Sequence, residues 1–412
     1  DDGDTITFDT VFFQANDDVT NNPRIKLTSS IVVDKNIHIN GDVNGDGIGD
    51  AGISSEAGIF EVLTPVVLEL SGLYLNETTA TQGGAVLIDG GGAVIISNTQ
   101  MSENAAQFGG AIAVIDGSLT VVDSEFESNS ATDGGAIAIA NTAGTVDIQR
   151  STFIANSVTS EGGAVYNLGA DTTFVNVTFY DNSAAFGGGL FNGSDGLLAA
   201  NNITLFNHSD GSGIGISGGE IVLSNSLVAQ LQLDDISIVV NGGNLSLVYS
   251  LVDSITGEFL DLGGNLLDVS PEMNEPAEPV NYGGFTRTLS PSSLSPVLDA
   301  ADPNIPGSGG TCATEDQTGS TRPIDADSDG AAICDMGAFE FSLVSGAPPS
   351  SESIDIVQEQ YIAFYGRAGD PVGVQFWGTR LDQLNKVLSG IQNQFGNSQE
   401  FIDLIVPDGS ST

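Results

Sequence analysis

Between Gly83 and His208 the apolar and polar positions alternate in short runs, and the runs repeat. AIAVIDGSLTVVDSEF, AIAIANTAGTVDIQRSTF and AVYNLGADTTFVNVTF alternate apolar with small polar residues, are rich in Val, Ile, Thr and Phe, and are punctuated by Gly, Asn and Asp. That is the pattern of short strands, not of helices. A Gly-Gly-Ala/Gly signature starts at Gly83, Gly109, Gly134, Gly162 and Gly187, at intervals of 26, 25, 28 and 25 residues. In step with it, Asn104, Asn129, Asn156 and Asn182 close the segments SEN, ESN, IAN and YDN, and His208 fills the next slot. Three residues before these lie Met101, Phe126, Phe153, Phe179 and Leu205.

A period of this length is too short for a pair of helices. It fits one coil of a solenoid with two or three strands per coil, each inward residue stacked on its equivalent about 4.8 Å away. The pattern predicts an internal aromatic stack. It also predicts an asparagine ladder at a turn, with amides bonding one another and the asparagines themselves in left-handed backbone. The string GGAI…F-x-x-N resembles the repeats of polymorphic outer-membrane proteins and related right-handed parallel β-helix proteins, over about Thr79 to Asp210. The resemblance implies a fold and a surface location, and it brings no catalytic residues with it. The fold class expected is therefore all-β, a right-handed parallel β-helix followed by a small α-helical C-terminal domain.

On either side of the repeats the pattern weakens without stopping. IKLTSSIVVDKNIHING reads as two successive coil strands. The first 40 residues resemble the opening coils of secreted β-helix proteins, although the Cys-Ser-Leu-Arg-Glu-Ala motif that goes with those is absent. Beyond His208, SNSLVAQ and VYSLVDS keep the rhythm at Leu227 and Leu251, as expected of coils that decay toward a cap.

Charge changes the picture next. The chain of 412 residues has 54 acids against 9 bases, a net charge of −45, while 40% of its residues are hydrophobic, so the acidity does not signal disorder. It argues against nucleic acid and anionic membranes as partners and favours multivalent cations. No apolar run approaches the length needed to span a bilayer. No signal peptide is visible, and Asp1 reads as a mature or trimmed start. The only cysteines, Cys312 and Cys334, are close enough in sequence to pair, which suits a secreted protein.

Two acidic loops point to Ca2+. In DVNGDGIGDAG, Asp42, Asn44 and Asp46 alternate before Gly47, and Asp50 takes the ninth position of an EF-hand-type loop. Alternate oxygens converge on one cation and the glycine allows the sharp turn. The twelfth position is Ile53, so the bidentate glutamate is missing and Glu56 is the substitute within reach. The second loop has Asp325, Asp327 and Asp329 before Gly330, with Asp335 beyond and Glu315 and Asp316 nearby. A Cys312–Cys334 bridge would close a loop around it, worth about 3 kcal/mol.

That second loop lies inside a further resemblance. GGNLLDVSP, NYGGFTRTLSPSSLSPVLDAAD and DQTGSTRPIDADSDGAAICDMGAFEF are similar to the closing segment of bacterial β-helix proteins described as a choice-of-anchor domain. Ser295-Pro296, Asp299-Ala300, Asp316-Gln317, Arg322-Pro323 and Gly337-Ala338-Phe339-Glu340 carry the match. This resemblance implies an exported, anchored protein. Arg322 reads as the partner of a buried carboxylate. SLVSGAPPSSES is a Pro/Ser linker. After it, YIAFYGRAGDPVGVQFW resembles a small helical module of type I secreted and surface-layer proteins, through Tyr361, Arg367, Asp370, Pro371, Gly373, Trp377, Ser398 and Phe401. The domains expected are 1–290, the β-helix; 291–341, the closing segment; 342–353, the linker; and 354–412, the helical module.

Parallel β-helices often act on polysaccharides, so catalysis needs its own test. A uronate lyase needs a base and a cation for the substrate carboxylate. Between Lys35 and Arg287 the only Lys or Arg is Arg150, and the histidines are His38 and His208, the latter in a ladder slot. Asp123, Asp147, Asp171 and Asp181 form an irregular acidic column that reads as solvated turns. The function expected is an extracellular structural or adhesive rod on the bacterial cell surface or in a matrix, not an enzyme. Its partners would be calcium ions, other copies of itself in a head-to-tail filament, and surface polysaccharide. The alternative is a secreted polysaccharide hydrolase using Asp/Glu pairs on the β-helix face.

Overall fold

The structure, a computed structural model, describes residues 4–7, 24–42, 49, 51–209, 211–230, 237–274, 276–325, 330–342, 351–365, 377–378 and 381. The described chain is a parallel β-helix with three columns of strands. One column is an 11-stranded sheet, running from Arg24–Leu27 through Glu125–Glu127 to Leu266–Leu267. The other two form a single 19-stranded sheet, because the long strands Val86–Ser97 and Ile112–Val122 belong to both. The pairings between these strands are parallel, coil upon coil, as a solenoid requires.

The inward ladders are continuous. Leu75, Met101, Phe126, Phe153, Phe179, Leu205 and Val228 stack in register and are fully buried. The rings of Phe126 and Phe153 lie 4.7 Å apart at 5°, and those of Phe153 and Phe179 lie 5.0 Å apart at 10°. Near-parallel rings at these centroid distances lie in the range favoured by offset stacking, and the coil spacing repeats the contact. A second ladder, Val86, Ile112, Ile137, Val165, Leu190, Ile214 and Ile238, is equally dry.

The Gly-Gly signature has a steric cause. The first glycine is left-handed in each coil (φ 56–70° at Gly83, Gly109, Gly134, Gly162 and Gly187). The second leaves no room for a side chain: a Cβ on Gly110 would sit 2.1 Å from the carbonyl oxygen of Gly135, and one on Gly135 2.1 Å from that of Gly163. The asparagine ladder forms as expected, but its left-handed residue is the preceding one: Glu103, Ser128, Ala155, Asp181 and Asn207 have φ of 52–58°. That residue turns the chain at the strand end, so the next side chain points into the stack. Left-handed backbone costs an L-residue about 1–2 kcal/mol, and each coil meets this cost again.

After the last coil the described residues within 273–341 return along the outer face of the 11-stranded sheet. There Thr178 meets Thr288 at 2.8 Å and Gln317 at 2.6 Å, Asn202 bonds Asp335 and Gly337, and Arg287 reaches Glu125 and Glu127. A second core fills this seam, joining Phe206, Leu227 and Leu251 to Leu289, Val297, Met336 and the bonded pair Cys312–Cys334. Asp1–Phe341 is accordingly one compact unit, and Ser342–Thr412 is another. In the latter, helix Ser351–Tyr365 buries Val357 and Tyr361. No described helix is long and apolar enough to cross a membrane.

Candidate functional site

The ladder polar groups are consumed by the fold. Asn104 donates from Nδ2 to Oδ1 of Asn129, Asn129 to Asn156, and Asn156 to Asn182, each at 2.9 Å. The same oxygens accept backbone N–H bonds at 2.9–3.0 Å. Thr78 begins the series, and His208 and Gln230 end it. His208 is therefore structural: it is 2% exposed, and burial lowers its pKa to about 4.

Of the acidic column, Asp123 is not a solvated turn. Arg150 grips it with two bonds of 2.8 Å across one coil step. Asp147 accepts from Gln149 and Thr173. Asp171 lines an open cleft of about 500 Å³ with Asp195, Glu220 and Asn244 over a glycine floor. Asp181 is an exposed turn residue with φ 52°. The four are not brought together as a pair of catalytic carboxylates.

The calcium loops fall largely outside the described residues: Asn44, Asp46, Asp50, Asp327 and Asp329 all do. Asp42 follows strand Ile37–Asn40, where its backbone N–H donates to Asn40 Oδ1. Asp325 accepts the Gly330 N–H at 3.0 Å through Oδ2, and its Oδ1 is buried with no partner among the described residues. Asp335 lies elsewhere, in a dry network of the closing segment. Its oxygens accept the N–H groups of Asp299 and Phe341. Beside it Arg322 pairs with Glu340 at 2.8 Å, and both are fully buried. Burial, and then the charge of Glu340, hold the Asp335 carboxyl well above the usual range. Asp316 takes the Glu340 N–H. The motif DQ…RP…D…GAFE is thus the hydrogen-bonded frame of this segment. Among the described residues no group of three or more His, Cys, Asp or Glu side chains is gathered for a metal.

One arrangement was not singled out from the sequence. The residues just before each Gly-Gly pair, Gln82, Phe108, Asp133, Glu161 and Phe186, form a column on the outside of the solenoid. Gln82 bridges to Phe108, Phe108 to Asp133, and Glu161 to Phe186. The bond from Gly134 N to Glu161 O places Asp133 and Glu161 on adjacent coils, about 4.8 Å apart at the backbone. Both side chains are half-buried. Burial pushes the Glu161 carboxyl up from its ordinary value, and the charge of Asp133 adds to that. Alongside, the half-buried Tyr166 and the buried Phe191, from paired strands, stack at 5.1 Å and 6°. Phe108 meets Tyr166 edge-on at 6.0 Å, and Phe186 meets Phe191 at 5.7 Å. Two carboxylates are flanked above and below by phenyl rings and at the side by a tyrosine. Such a flank offers apolar ring contact and hydrogen-bond acceptors to one ligand.

No protein-family model, curated protein or solved structure matches this chain. Of the resemblances in the sequence, the structure bears out the parallel β-helix.

Proposed function

We propose that this protein is an extracellular structural and adhesive rod whose outer flank at Phe108, Asp133, Glu161, Tyr166 and Phe186 holds a neutral polysaccharide. The observation that carries this reading is the flank itself, where aromatic rings and two carboxylates free of hydrogen bonds to described groups share one face. Sugars present C–H faces to rings and hydroxyls to carboxylates. A net charge of −45 disfavours anionic polymers. The motif resemblances support export and surface attachment. In a pull-down on insoluble neutral glycans, Phe108→Ala/Phe186→Ala is expected to weaken retention at least tenfold, about 1.4 kcal/mol. Retention unchanged by the double substitution, or stronger on an anionic polymer, sinks the reading.

The Asp133–Glu161 pair also favours a second reading, glycoside hydrolysis. Adjacent coils bring backbones within the range at which carboxyls about 5–5.5 Å apart act by retention, and the raised Glu161 would be the acid. Release of reducing ends from the bound glycan, abolished by Glu161→Gln, would establish it; binding without release leaves the adhesive rod.

Calcium belongs to the same proposal. Asp325 Oδ1 is a buried acceptor without a partner among the described residues, at the start of the second acidic loop, and a cation would satisfy it. A cation that binds the native state alone stabilises by about 2.7 kcal/mol at a hundredfold excess over its Kd. A chelator is expected to lower the Tm. An unchanged melting curve together with metal-free protein by elemental analysis overturns this.

A further inference from the structure

Among the described residues, both ends of the β-helix leave the inward ladders unfinished. At the head, Ile6, Ile25 and Ile31 occupy the slots above Ile39, Ile53 and Phe60. Those three are buried, while Ile6, Ile25 and Ile31 are 45%, 39% and 42% exposed. At the tail, Ile255 follows Ile238 and Leu267 follows Val252 in the same ladders, with Phe259, Leu260 and Leu262 exposed around them. An unpaired strand edge of this kind is a template for another chain, and soluble proteins usually blunt it.

The two ends differ in charge. Arg24, Lys26 and Lys35, three of the nine Lys and Arg residues, lie in the first coil, beside Asp4 and Asp34 and within a stretch 1–35 that holds seven acids in all. The tail carries Glu258, Asp261 and Asp268, and residues 255–268 contain no Lys or Arg. The lysines at the head are held by exposed partners, Lys26 by Glu56 at 2.7 Å and Lys35 by Asp4. Exposed pairs of this kind are worth little and exchange readily. Asp261 sits in the ladder slot after Leu247 and accepts from Gly263 N and Asn265 Nδ2. Two tails stacked together would bring two such carboxylates into neighbouring slots, whereas a head would set Ile6 in the slot after Asp261 and Lys26 in register with Asp268.

We propose that the first coil of one molecule stacks on the last coil of a second copy, with Ile31 continuing the Ile255 ladder, Ile25 the Leu267 ladder, and Lys26 and Lys35 facing Glu258 and Asp268. The contact is heterologous and does not close on itself, so it propagates as a filament. This rests on the rod reading and specifies how rods join.

The test uses the full chain at millimolar calcium, followed by light scattering and negative-stain microscopy. The parent protein is expected to form filaments. Lys26→Glu/Lys35→Glu and Glu258→Lys/Asp268→Lys are each expected to raise the concentration for half-assembly at least tenfold. Mixing the two variants should restore filaments, since each acidic head then meets a basic tail. All four positions are exposed, so both variants keep their fold, checked by circular dichroism. A parent protein that stays monomeric, or variants that assemble like the parent, overturns the proposal. A monomer that still binds glycan leaves the adhesive reading intact; filaments that bind no glycan remove that reading and leave this one.

Discussion

Asn156→Ala is expected to destabilise the β-helix by about 3 kcal/mol, the upper end of what one unsatisfied buried polar group costs. Asn156 is completely buried and works in both directions along the ladder. Its Nδ2 donates to Asn182 Oδ1 and to the Phe126 carbonyl, both at 2.9 Å. Its Oδ1 accepts the Asn129 backbone N–H at 3.0 Å and the Asn129 Nδ2 at 2.9 Å. Alanine strands donors on one neighbour and acceptors on the others, and the space left is too tightly stacked for water to serve all of them. Aspartate does no better, because it keeps the acceptor, loses both donations and puts a charge against Asn182 Oδ1. The readouts are the denaturant midpoint and amide exchange at Asn129, because coils of a solenoid can open locally. A neutral substitution with unchanged exchange would mean that the ladder does not carry the coils.

The ladder was legible in the sequence because each coil faces the same three demands. It needs a ring or aliphatic inside, an amide at the turn and no Cβ where carbonyls approach, so Phe, Asn and Gly-Gly recur at one period. Features that occur once leave no such trace. The return of the described residues within 273–341 along the flank depends on bonds between positions 77–166 apart in sequence, such as Asp302 to Asn225, Thr178 to Thr288 and Gln317 to Ser151. Nothing in the local pattern near Gln317 points to Ser151. The left-handed position lies one residue before the asparagine, where Glu, Ser, Ala, Asp and Asn all occur, so no residue type marks it.

The flank of Phe108, Asp133, Glu161 and Phe186 could have been found. These are the residues immediately before the Gly-Gly signature, so the period that locates the glycines also aligns them into one column. No single residue type marks the column, because its side chains differ from coil to coil. A binding face is the one part of a repeat protein where variation is expected, since packing no longer dictates identity. The acidic column at Asp123, Asp147 and Asp171 misleads for the opposite reason. These residues share a type but not a role: one holds an arginine, one bonds a threonine, and one lines a cleft.

Between pH 7 and pH 4 the wild-type protein is expected to lose about 3 kcal/mol relative to His208→Asn. His208 occupies an asparagine slot, with Nδ1 3.2 Å from both the backbone nitrogen and the carbonyl oxygen of Asn182 and its Nε2 buried without a partner among the described residues. Burial disfavours the charged ring more than the nearby carbonyls of Asn182 and Phe179 favour it. Burial therefore lowers its pKa from 6.5 to about 4. In the unfolded chain the imidazole takes up its proton near pH 6.5, and in the folded chain only near pH 4. The stabilisation is thus fully present above pH 6.5 and is lost as the pH falls toward 4, at about 1.36 kcal/mol per pH unit. Asparagine at this position does not titrate and would continue the amide ladder from Asn182. The closing segment works in the other direction. Asp335 and Glu340 are raised by burial, so they favour the folded state at low pH and lose that contribution as the pH rises through their elevated range. Both proteins share that response, so the difference between them isolates His208. Chemical denaturation of the pair at pH 7, 5.5 and 4 measures it. Curves that fall in parallel would show that the carbonyls of Asn182 and Phe179 hold the charged imidazole in the fold despite its burial.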